Sequence, residues 1–240
     1  MDESAYEQHY QQEDDHWWFR GRRRVIWALL GRGGLPDRPR LLDAGCGTGR
    51  NLVEFGGLGP ARGIDPSEQA VAFCRQRGLD HVSRGRIEEL PFAAASFDLL
   101  LACDVIEHVP DDARALVELR RVAAPGARLL LTVPAYGWLW SSHDVYMHHH
   151  RRYTLRQLRA RTRAAGWEPA IDSYFMTAVL PPVAVTRLAG KMRDREPESD
   201  IKATQPALNR SLEMLVRAEA AAIARGARFP AGVSIGMVCR

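Results

Sequence analysis

The sequence has little lysine, no paired cysteine motif and no apolar run long enough to span a bilayer. Of its 33 basic residues only Lys191 and Lys202 are lysines, and the net charge of +4 is modest. A small charge spread over both halves of the chain disfavours nucleic acid as a partner. The four cysteines form neither a C-x-x-C pair nor a disulfide framework, and the acidic N-terminus does not resemble a signal peptide. A cytoplasmic protein is therefore expected.

The chain is organised around a glycine-rich turn, which lacks one glycine of the dinucleotide-binding pattern. This turn is predicted to follow a buried strand and to open a helix, with glycines at Gly45, Gly47 and Gly49. A dinucleotide-binding fold expects a glycine at position 50, where Arg50 stands. Arg50 and the acidic Asp43 together argue against a nicotinamide-dependent oxidoreductase, which is kept as the less favoured alternative.

Strand and helix signals alternate from residue 40 to residue 134, which predicts an α/β fold with a doubly wound, mainly parallel sheet. The predicted strands are 40–44, 61–64, 81–83, 97–102, 128–133, 168–175 and 233–239. The predicted helices are 21–30, 50–55, 68–77, 111–122, 155–165 and 206–225, with N-caps at Ser67 and Thr154. Residues 1–39 are expected to form a helical lid and residues 40–240 the main domain. Insertions on the substrate side are expected at about 136–165 and 176–226.

The apolar stretch 176–189 has two interpretations. It is either an interfacial or substrate-covering segment, or a buried helix or dimer surface. Pro181 and Pro182 favour the second, because they would interrupt a long amphipathic face. Membrane contact is therefore not favoured, and a homodimer stays open. The charged stretch 191–204 is predicted to be mobile.

Two acidic residues flank the glycine turn and indicate the ligand. Asp65, at the tip of the second strand, is placed to accept both hydroxyls of a ribose. Asp43, one step before the turn, suits a cationic group such as a sulfonium better than a pyrophosphate. Asp43 has an alternative role, which is to accept hydrogen bonds from the amides of the loop.

Aromatic residues are concentrated on both sides of this predicted core. Trp17 and Trp18 precede it, either as a hydrophobic staple for the N-terminal helix or as part of a lid over the ligand. Trp138, Trp140 and Tyr146 follow the fifth predicted strand. All five are predicted to contact the substrate.

Four ordered segments carry a resemblance to a known family. They are 41–51, Gly63-Ile64-Asp65-Pro66-Ser67, 88–92 and 96–99. Together they resemble the class I S-adenosylmethionine-dependent methyltransferases, and the resemblance covers residues 40–134. The flanks at 16–19 and 149–153 resemble a bacterial subgroup, of the methyltransferase 11 and 23 types, that often acts on lipid-linked or secondary-metabolite substrates. The resemblance implies a seven-stranded Rossmann-like sheet with an antiparallel last strand, preceded by a helical insertion.

The resemblance also implies S-adenosylmethionine as cofactor and assigns its binding residues. The glycines of the turn match the family's loop around the methionine moiety, and Asp43 matches the residue that anchors this moiety. Asp65 and Pro66 match the strand end that binds the ribose. The family's usual adenine-binding Asp is replaced by Arg86, which cannot accept that hydrogen bond. Ile87 backbone groups or Glu88 are expected to hold adenine instead. The resemblance also places Asp104 and His108 on the methyl-donor side of the cleft. The predicted cofactor-binding residues are Asp43, Gly45, Gly47, Gly49, Asp65, Pro66, Ile87, Glu88 and Asp104.

Methyl transfer to an O, N or C nucleophile needs a base only when the acceptor must lose a proton. The candidates are His108, His143, His149 and Tyr153, with His143 or His149 preferred, although a single histidine is more often structural than catalytic. No metal site is predicted, because adjacent histidines such as those of the run 148–150 point in different directions.

Two other functions are weighed against methyl transfer to a small-molecule or lipid-like acceptor. The chain could bind the cofactor without transferring a methyl group, and the intact loop does not exclude this. A nucleic-acid methyltransferase is disfavoured, because Asp104-Val105-Ile106-Glu107 stands where an amino-group enzyme has a polar-Pro-Pro-aromatic run. None of the four cysteines follows a proline, as a pyrimidine C5 enzyme requires.

Overall fold

The computed structural model describes residues 3–191, 199, 200 and 204–240. Seven strands form one sheet: β1 (Leu41–Ala44), β2 (Ala61–Asp65), β3 (Val82–Arg84), β4 (Phe97–Cys103), β5 (Ala123–Pro134), β6 (Pro169–Phe175) and β7 (Ser234–Cys239). The order across the sheet is β3-β2-β1-β4-β5-β7-β6. Strands β1 to β5 are parallel, and β7 runs antiparallel to both β5 and β6. The predicted doubly wound α/β sheet with an antiparallel last strand is confirmed.

Nine helices connect or cover these strands in the described part of the chain. They are α1 (Glu3–Gln12), α2 (Trp17–Gly33), α3 (Arg50–Phe55), α4 (Glu68–Gln76), α5 (Asp112–Val122), α6 (Ser142–Tyr146), α7 (Leu155–Ala164), α8 (Leu180–Lys191) and α9 (Pro206–Ala224). None of the described helices has the length and apolar character needed to cross a bilayer. Of the connection 191–204 that was predicted to be mobile, residues 192–198 and 201–203 lie outside the described residues.

Both faces of the sheet are buried, as the continuous apolar strand Leu99-Leu100-Leu101 requires. On one face Leu100 and Leu131 pack with α5, α7 and the buried indole of Trp167. On the other face Leu99 and Leu101 pack with α2, α3, α4 and α9. Helix α2 is thus part of the core layer that covers β6 and β7, whereas α1 packs against α4.

Local capping signals in the sequence locate two helix starts. The Ser67 hydroxyl accepts a hydrogen bond from the amide of Ala70 over 3.3 Å. Thr154 and Gln157 form a reciprocal capping box at the start of α7. Each cap satisfies an amide that would otherwise lack an acceptor at a helix start.

The expectation that two prolines break the segment 176–189 is wrong. Helix α8 begins at Leu180, so Pro181 and Pro182 lie in its first turn, where an amide hydrogen has no acceptor in the helix anyway. The helix is also not fully buried. Arg187 is buried, while Val185 and Leu188 are exposed.

Candidate functional site

A cavity of about 840 Å³ lies at the carboxyl ends of β1, β2 and β4, below α1. This is the edge at which parallel α/β sheets bind ligands. Twelve of the predicted site residues line it: Trp17, Trp18, Gly45, Gly47, Asp65, Pro66, Ile87, Glu88, Asp104, His108, His143 and His149. The cavity continues beyond these residues to α8 and α9.

At the glycine turn the cavity wall is formed by backbone atoms, because the glycines have no side chains. Gly45 has a φ of +82° and packs so tightly that a Cβ there would lie 2.5 Å from a methyl of Val105. Gly47 also has a left-handed backbone, with a φ of +53°, but no described atom lies within 4 Å of where its Cβ would be. Gly45 is therefore required by packing, whereas Gly47 leaves open space over the loop. Gly49 does not line the cavity and packs against Cys74 and Leu79.

Asp65 lies at the end of β2 and is 4% exposed. Its Oδ2 accepts from the amide of Gly47 over 2.9 Å. Its Oδ1 accepts from the amide of Ser67 over 3.0 Å and from the Tyr6 hydroxyl over 3.2 Å. Burial raises the pKa of Asp65, and the hydrogen bonds from Ser67, Gly47 and Tyr6 oppose that rise.

Asp43 is completely buried beneath the turn, and neither carboxylate oxygen has a hydrogen-bond partner among the described residues. The alternative role of Asp43, binding the loop amides, is therefore not observed. Desolvation raises the pKa of Asp43 to about 7; the charge of Arg22 opposes the rise, and Asp65 and Glu13 add to it. Asp43 is not among the residues that line the cavity.

The end of the cavity at β3 is formed by Gly85, Arg86, Ile87 and Glu88. Arg86 turns outward and donates to the Glu88 carboxylate over 2.7 Å. Ile87 is buried, and its side chain contributes to the apolar core. This end therefore offers an apolar wall, backbone groups and one carboxylate.

Asp104, just after β4, is held by two partners. Arg22 of α2 donates to Asp104 Oδ2, and the Thr132 hydroxyl donates to Oδ1 over 3.1 Å. Asp104 has a φ of +56°, an uncommon conformation for a residue with a side chain. Burial lowers the pKa of Arg22, but the charge and hydrogen bond of Asp104, together with Cys103 and Glu13, outweigh it, and the pKa is raised overall. Arg22 stays charged at the cavity wall.

Three histidines meet on the far side of Asp104. The ring centroids of His108 and His149 are 4.6 Å apart, and those of His143 and His149 are 6.1 Å apart. Burial lowers the pKa of His143 to about 4, with the charge of Asp200 opposing the shift. Burial and the neighbouring His149 also lower the pKa of His108. His108 and His143 are therefore neutral near pH 7 and able to accept a proton.

A buried carboxylate orients this group. Asp144 Oδ1 accepts from Arg152 Nε over 2.7 Å and lies 2.8 Å from His149 Nδ1. Burial raises the pKa of Asp144, but His149 and Arg152 lower it well below its usual range. Glu107 lies beside the same histidines, is 0% exposed, and has no described partner for either carboxylate oxygen. Glu107, His108 and His149 each offer a ligand atom within 4.8 Å of the others. The sequence predicted no metal site and did not single out Glu107 as a site residue.

Some predicted site residues are not brought to the cavity. Tyr153 is 3% exposed and its hydroxyl donates to Asp112 over 2.8 Å, so it is not positioned as a base. Trp138 is 47% exposed and stacks on Tyr136. Trp140 and Tyr146 also lie outside the lining residues. None of these four side chains lines the cavity.

Helix α1 contributes residues that the sequence gave no reason to select. Tyr6, His9 and Glu13 all line the cavity. Glu13 accepts from the Thr48 hydroxyl of the glycine loop and pairs with Arg77 over 2.6 Å. Burial lowers the pKa of His9 to about 3. These contacts fasten α1 over the loop, which is consistent with the predicted lid.

Comparisons with known proteins agree with this geometry. Residues 42–131 match the family described as "Methyltransferase domain". Residues 42–131 form a methyltransferase domain. S-adenosylmethionine is the cofactor that this domain implies.

Two curated relatives of the methyltransferase are O-methyltransferases. The malonyl-[acyl-carrier protein] O-methyltransferase of Serratia marcescens is 34% identical over 145 residues, which are 57% of this chain and 56% of the relative. The ubiquinone biosynthesis O-methyltransferase of Hahella chejuensis is 38% identical over 108 residues, which are 42% of this chain and 45% of the relative. The chain thus spans about half the length of these two relatives.

A solved structure shares the fold of the methyltransferase over nearly its whole length. It is a chain of the complex between the Trm112 methyltransferase activator of Haloferax volcanii and a methyltransferase, with a TM-score of 0.64. The match covers 98% of this chain and 93% of the other at 18% identity, so it shows the fold alone.

The cavity of the methyltransferase fits S-adenosylmethionine on three observations. Asp43 is a buried carboxylate without a partner, which a cationic ligand group nearby would stabilise. The space over Gly47 is open, so a ligand can approach the backbone. Asp65 Oδ2 accepts only one described hydrogen bond and retains capacity for a ribose hydroxyl.

Proposed function

We propose that the chain transfers a methyl group from S-adenosylmethionine to an oxygen of a small-molecule or lipid-linked acceptor. The observation that carries the proposal is the continuity of one cavity. It runs from Gly47 and Asp65 past Asp104 to the histidines His143 and His149. The relatives from Serratia marcescens and Hahella chejuensis are O-methyltransferases, which supports oxygen over nitrogen or carbon.

The donor end of this cavity positions the cofactor. Bound S-adenosylmethionine supplies a methyl group already activated by a positively charged sulfur. Asp65 is proposed to hold the ribose, Ile87 and Glu88 the adenine, and Asp43 to stabilise the positive charge from beneath the turn. Such alignment of the reactants contributes about 7–11 kcal/mol to catalysis in well-oriented systems.

The acceptor end combines apolar walls with neutral imidazoles. The apolar wall is formed by Trp17, Trp18, Val179, Val183 and Leu208. An acceptor with an apolar body fits this wall, and burying it excludes water from the transfer. His143 is proposed as the base that removes the proton of an acceptor hydroxyl, because it lines the acceptor end of the cavity with a neutral imidazole.

The cofactor assignment is tested by calorimetry with wild type, Asp65→Ala and Asp98→Ala. Asp98 is a matched control because its carboxylate pairs with Arg40, outside the cavity. Wild type and Asp98→Ala are expected to bind S-adenosylmethionine equally, and Asp65→Ala at least 100-fold more weakly, since charge-assisted hydrogen bonds are worth about 1.5–3 kcal/mol each. Binding of a nicotinamide dinucleotide instead of the methyl donor would overturn the proposal.

The acceptor is identified by incubating candidate extracts with isotopically labelled methyl donor, followed by mass spectrometry. A labelled O-methyl product is the expected result. Cofactor binding without any labelled product would favour a cofactor-binding protein that does not transfer a methyl group. A secondary-metabolite acceptor, a cytoplasmic location and a homodimer stay predictions.

A further inference from the structure

Glu107, His108 and His149 bring two imidazoles and one carboxylate together at the cavity wall. Their ligand atoms lie within 4.8 Å of one another, and all three residues line the cavity. A metal ion at about 2.0–2.2 Å from each would need the ligand atoms about 3.4 Å apart. The side chains must therefore close by roughly 1 Å on binding, which small rotations about their torsions provide.

The residues around this group prepare it for an ion. Glu107 is 0% exposed, and neither of its oxygens has a partner among the described residues, although a buried carboxylate ordinarily requires one. His149 is oriented by the Asp144 carboxylate at 2.8 Å, through the ring nitrogen Nδ1. Metal-binding histidines are characteristically oriented by a carboxylate or a carbonyl in this way.

We propose that Glu107, His108 and His149 bind a divalent transition-metal ion such as Zn²⁺ at the acceptor end of the cavity. Two imidazoles and one carboxylate are a ligand set that zinc uses in catalytic sites, where the remaining position is open. The open side faces the cavity, so the remaining ligand is water or an oxygen of the acceptor. The assignment of acceptor oxygen as ligand rests on the proposed function, whereas metal binding does not.

The site is tested by titrating the chelator-treated full chain with Zn²⁺ in a calorimeter and with Co²⁺ by visible absorption. Wild type is expected to bind one equivalent and to give the visible bands of cobalt bound to nitrogen and oxygen. Glu107→Gln and His108→Asn are each expected to weaken binding at least 10-fold. Glu107→Gln keeps the side-chain volume, and the melting temperature and S-adenosylmethionine binding of each variant show whether it is folded.

His148→Asn is the matched control within the same histidine run. His148 is exposed and has a φ of +55°, a conformation that Asn tolerates well. This variant is expected to bind Zn²⁺ and Co²⁺ as wild type does. The proposal is overturned if wild type takes up no Co²⁺ at millimolar concentration, or if the folded Glu107→Gln and His108→Asn variants bind as tightly as His148→Asn. Wild type that binds Co²⁺ but not S-adenosylmethionine would refute the proposed function and leave the metal site standing.

Discussion

The Tyr6 hydroxyl donates a hydrogen bond to Asp65 Oδ1 over 3.2 Å and so connects α1 to the tip of β2. Oδ1 also accepts from the amide of Ser67, and Oδ2 accepts from the amide of Gly47. A carboxylate has about four acceptor positions, so one is left. A ribose that uses both of its hydroxyls needs two. Tyr6 and the ribose therefore compete for the same oxygen.

Tyr6→Phe is expected to increase the affinity for S-adenosylmethionine by about threefold to tenfold, because one hydrogen bond no longer has to be displaced. The same change should destabilise the free protein by about 1 kcal/mol, since it removes a buried hydrogen bond. Calorimetry and urea unfolding measure the two effects. Tyr10→Phe serves as control, since the Tyr10 ring stacks on Phe73 and does not line the cavity. Weaker cofactor binding by Tyr6→Phe would show that Tyr6 assists the ribose instead.

Gly45→Ala and Gly47→Ala are expected to differ sharply in stability. Both residues have left-handed backbones, but only at Gly45 would the added Cβ meet Val105, at 2.5 Å. Gly45→Ala should lower the free energy of unfolding by about 3 kcal/mol, through backbone strain and overpacking, and Gly47→Ala by about 1 kcal/mol. Urea unfolding at one pH measures both. Equal losses would mean that the Val105 side chain moves aside without cost.

The raised pKa of Asp43 predicts a stability that falls as pH rises. Between its unfolded pKa of 3.8 and its folded pKa of about 7, the folded state holds a proton that the unfolded state has released. Folding stability should therefore decrease with pH across this window, by up to about 1.4 kcal/mol per pH unit from this group. Asp43→Asn should flatten the slope. Because other buried acids titrate as well, the difference between the two proteins is the quantity to measure.

The same carboxylate gives a test of cofactor charge. If Asp43 stabilises the sulfonium, the preference for S-adenosylmethionine over the uncharged thioether S-adenosylhomocysteine should grow as pH rises through about 7. Calorimetric titration of both compounds at pH 6 and pH 8 measures the ratio. A ratio that does not change with pH, or that changes equally in Asp43→Asn, would contradict this role.

His143→Ala is expected to slow turnover by about 10²-fold or more while changing cofactor affinity less than threefold, since a general base contributes about 10²–10⁴-fold. The pKa of His143, about 4, also predicts no loss of the base form between pH 5 and pH 8. His81→Ala, an exposed position beside β3, is the control. An unchanged kcat in His143→Ala would indicate that transfer proceeds by alignment alone.

The features that were predicted correctly depend on neighbours in the sequence. The caps at Ser67 and Thr154 are read from residues three positions apart. The strands and the glycine turn follow from local periodicity and spacing. The antiparallel direction of the last strand came from the family resemblance, because the insertion of β7 between β5 and β6 leaves no local signal.

The features that were missed depend on residues far apart in the chain. Tyr6 and Asp65 are 59 positions apart. Glu107 and His149 meet because β4 and the segment after α6 end at the same edge of the sheet. Tyr153 was near the site in sequence, but its hydroxyl points to Asp112 instead. Side-chain direction and long-range pairing are set by the packing of whole elements, which a single sequence does not reveal.

The position of β7 has a consequence for the order in which the protein can assemble. Within the part of the chain that the structure describes, strand β6 is joined to the sheet only through β7, and one edge of β5 is covered only by β7. Until residues 234–239 have left the ribosome, β5 keeps an exposed hydrogen-bonding edge and β6 has no strand to pair with. The edge of β5 is therefore exposed to pairing with another molecule while the residues between β5 and β7 are being synthesised.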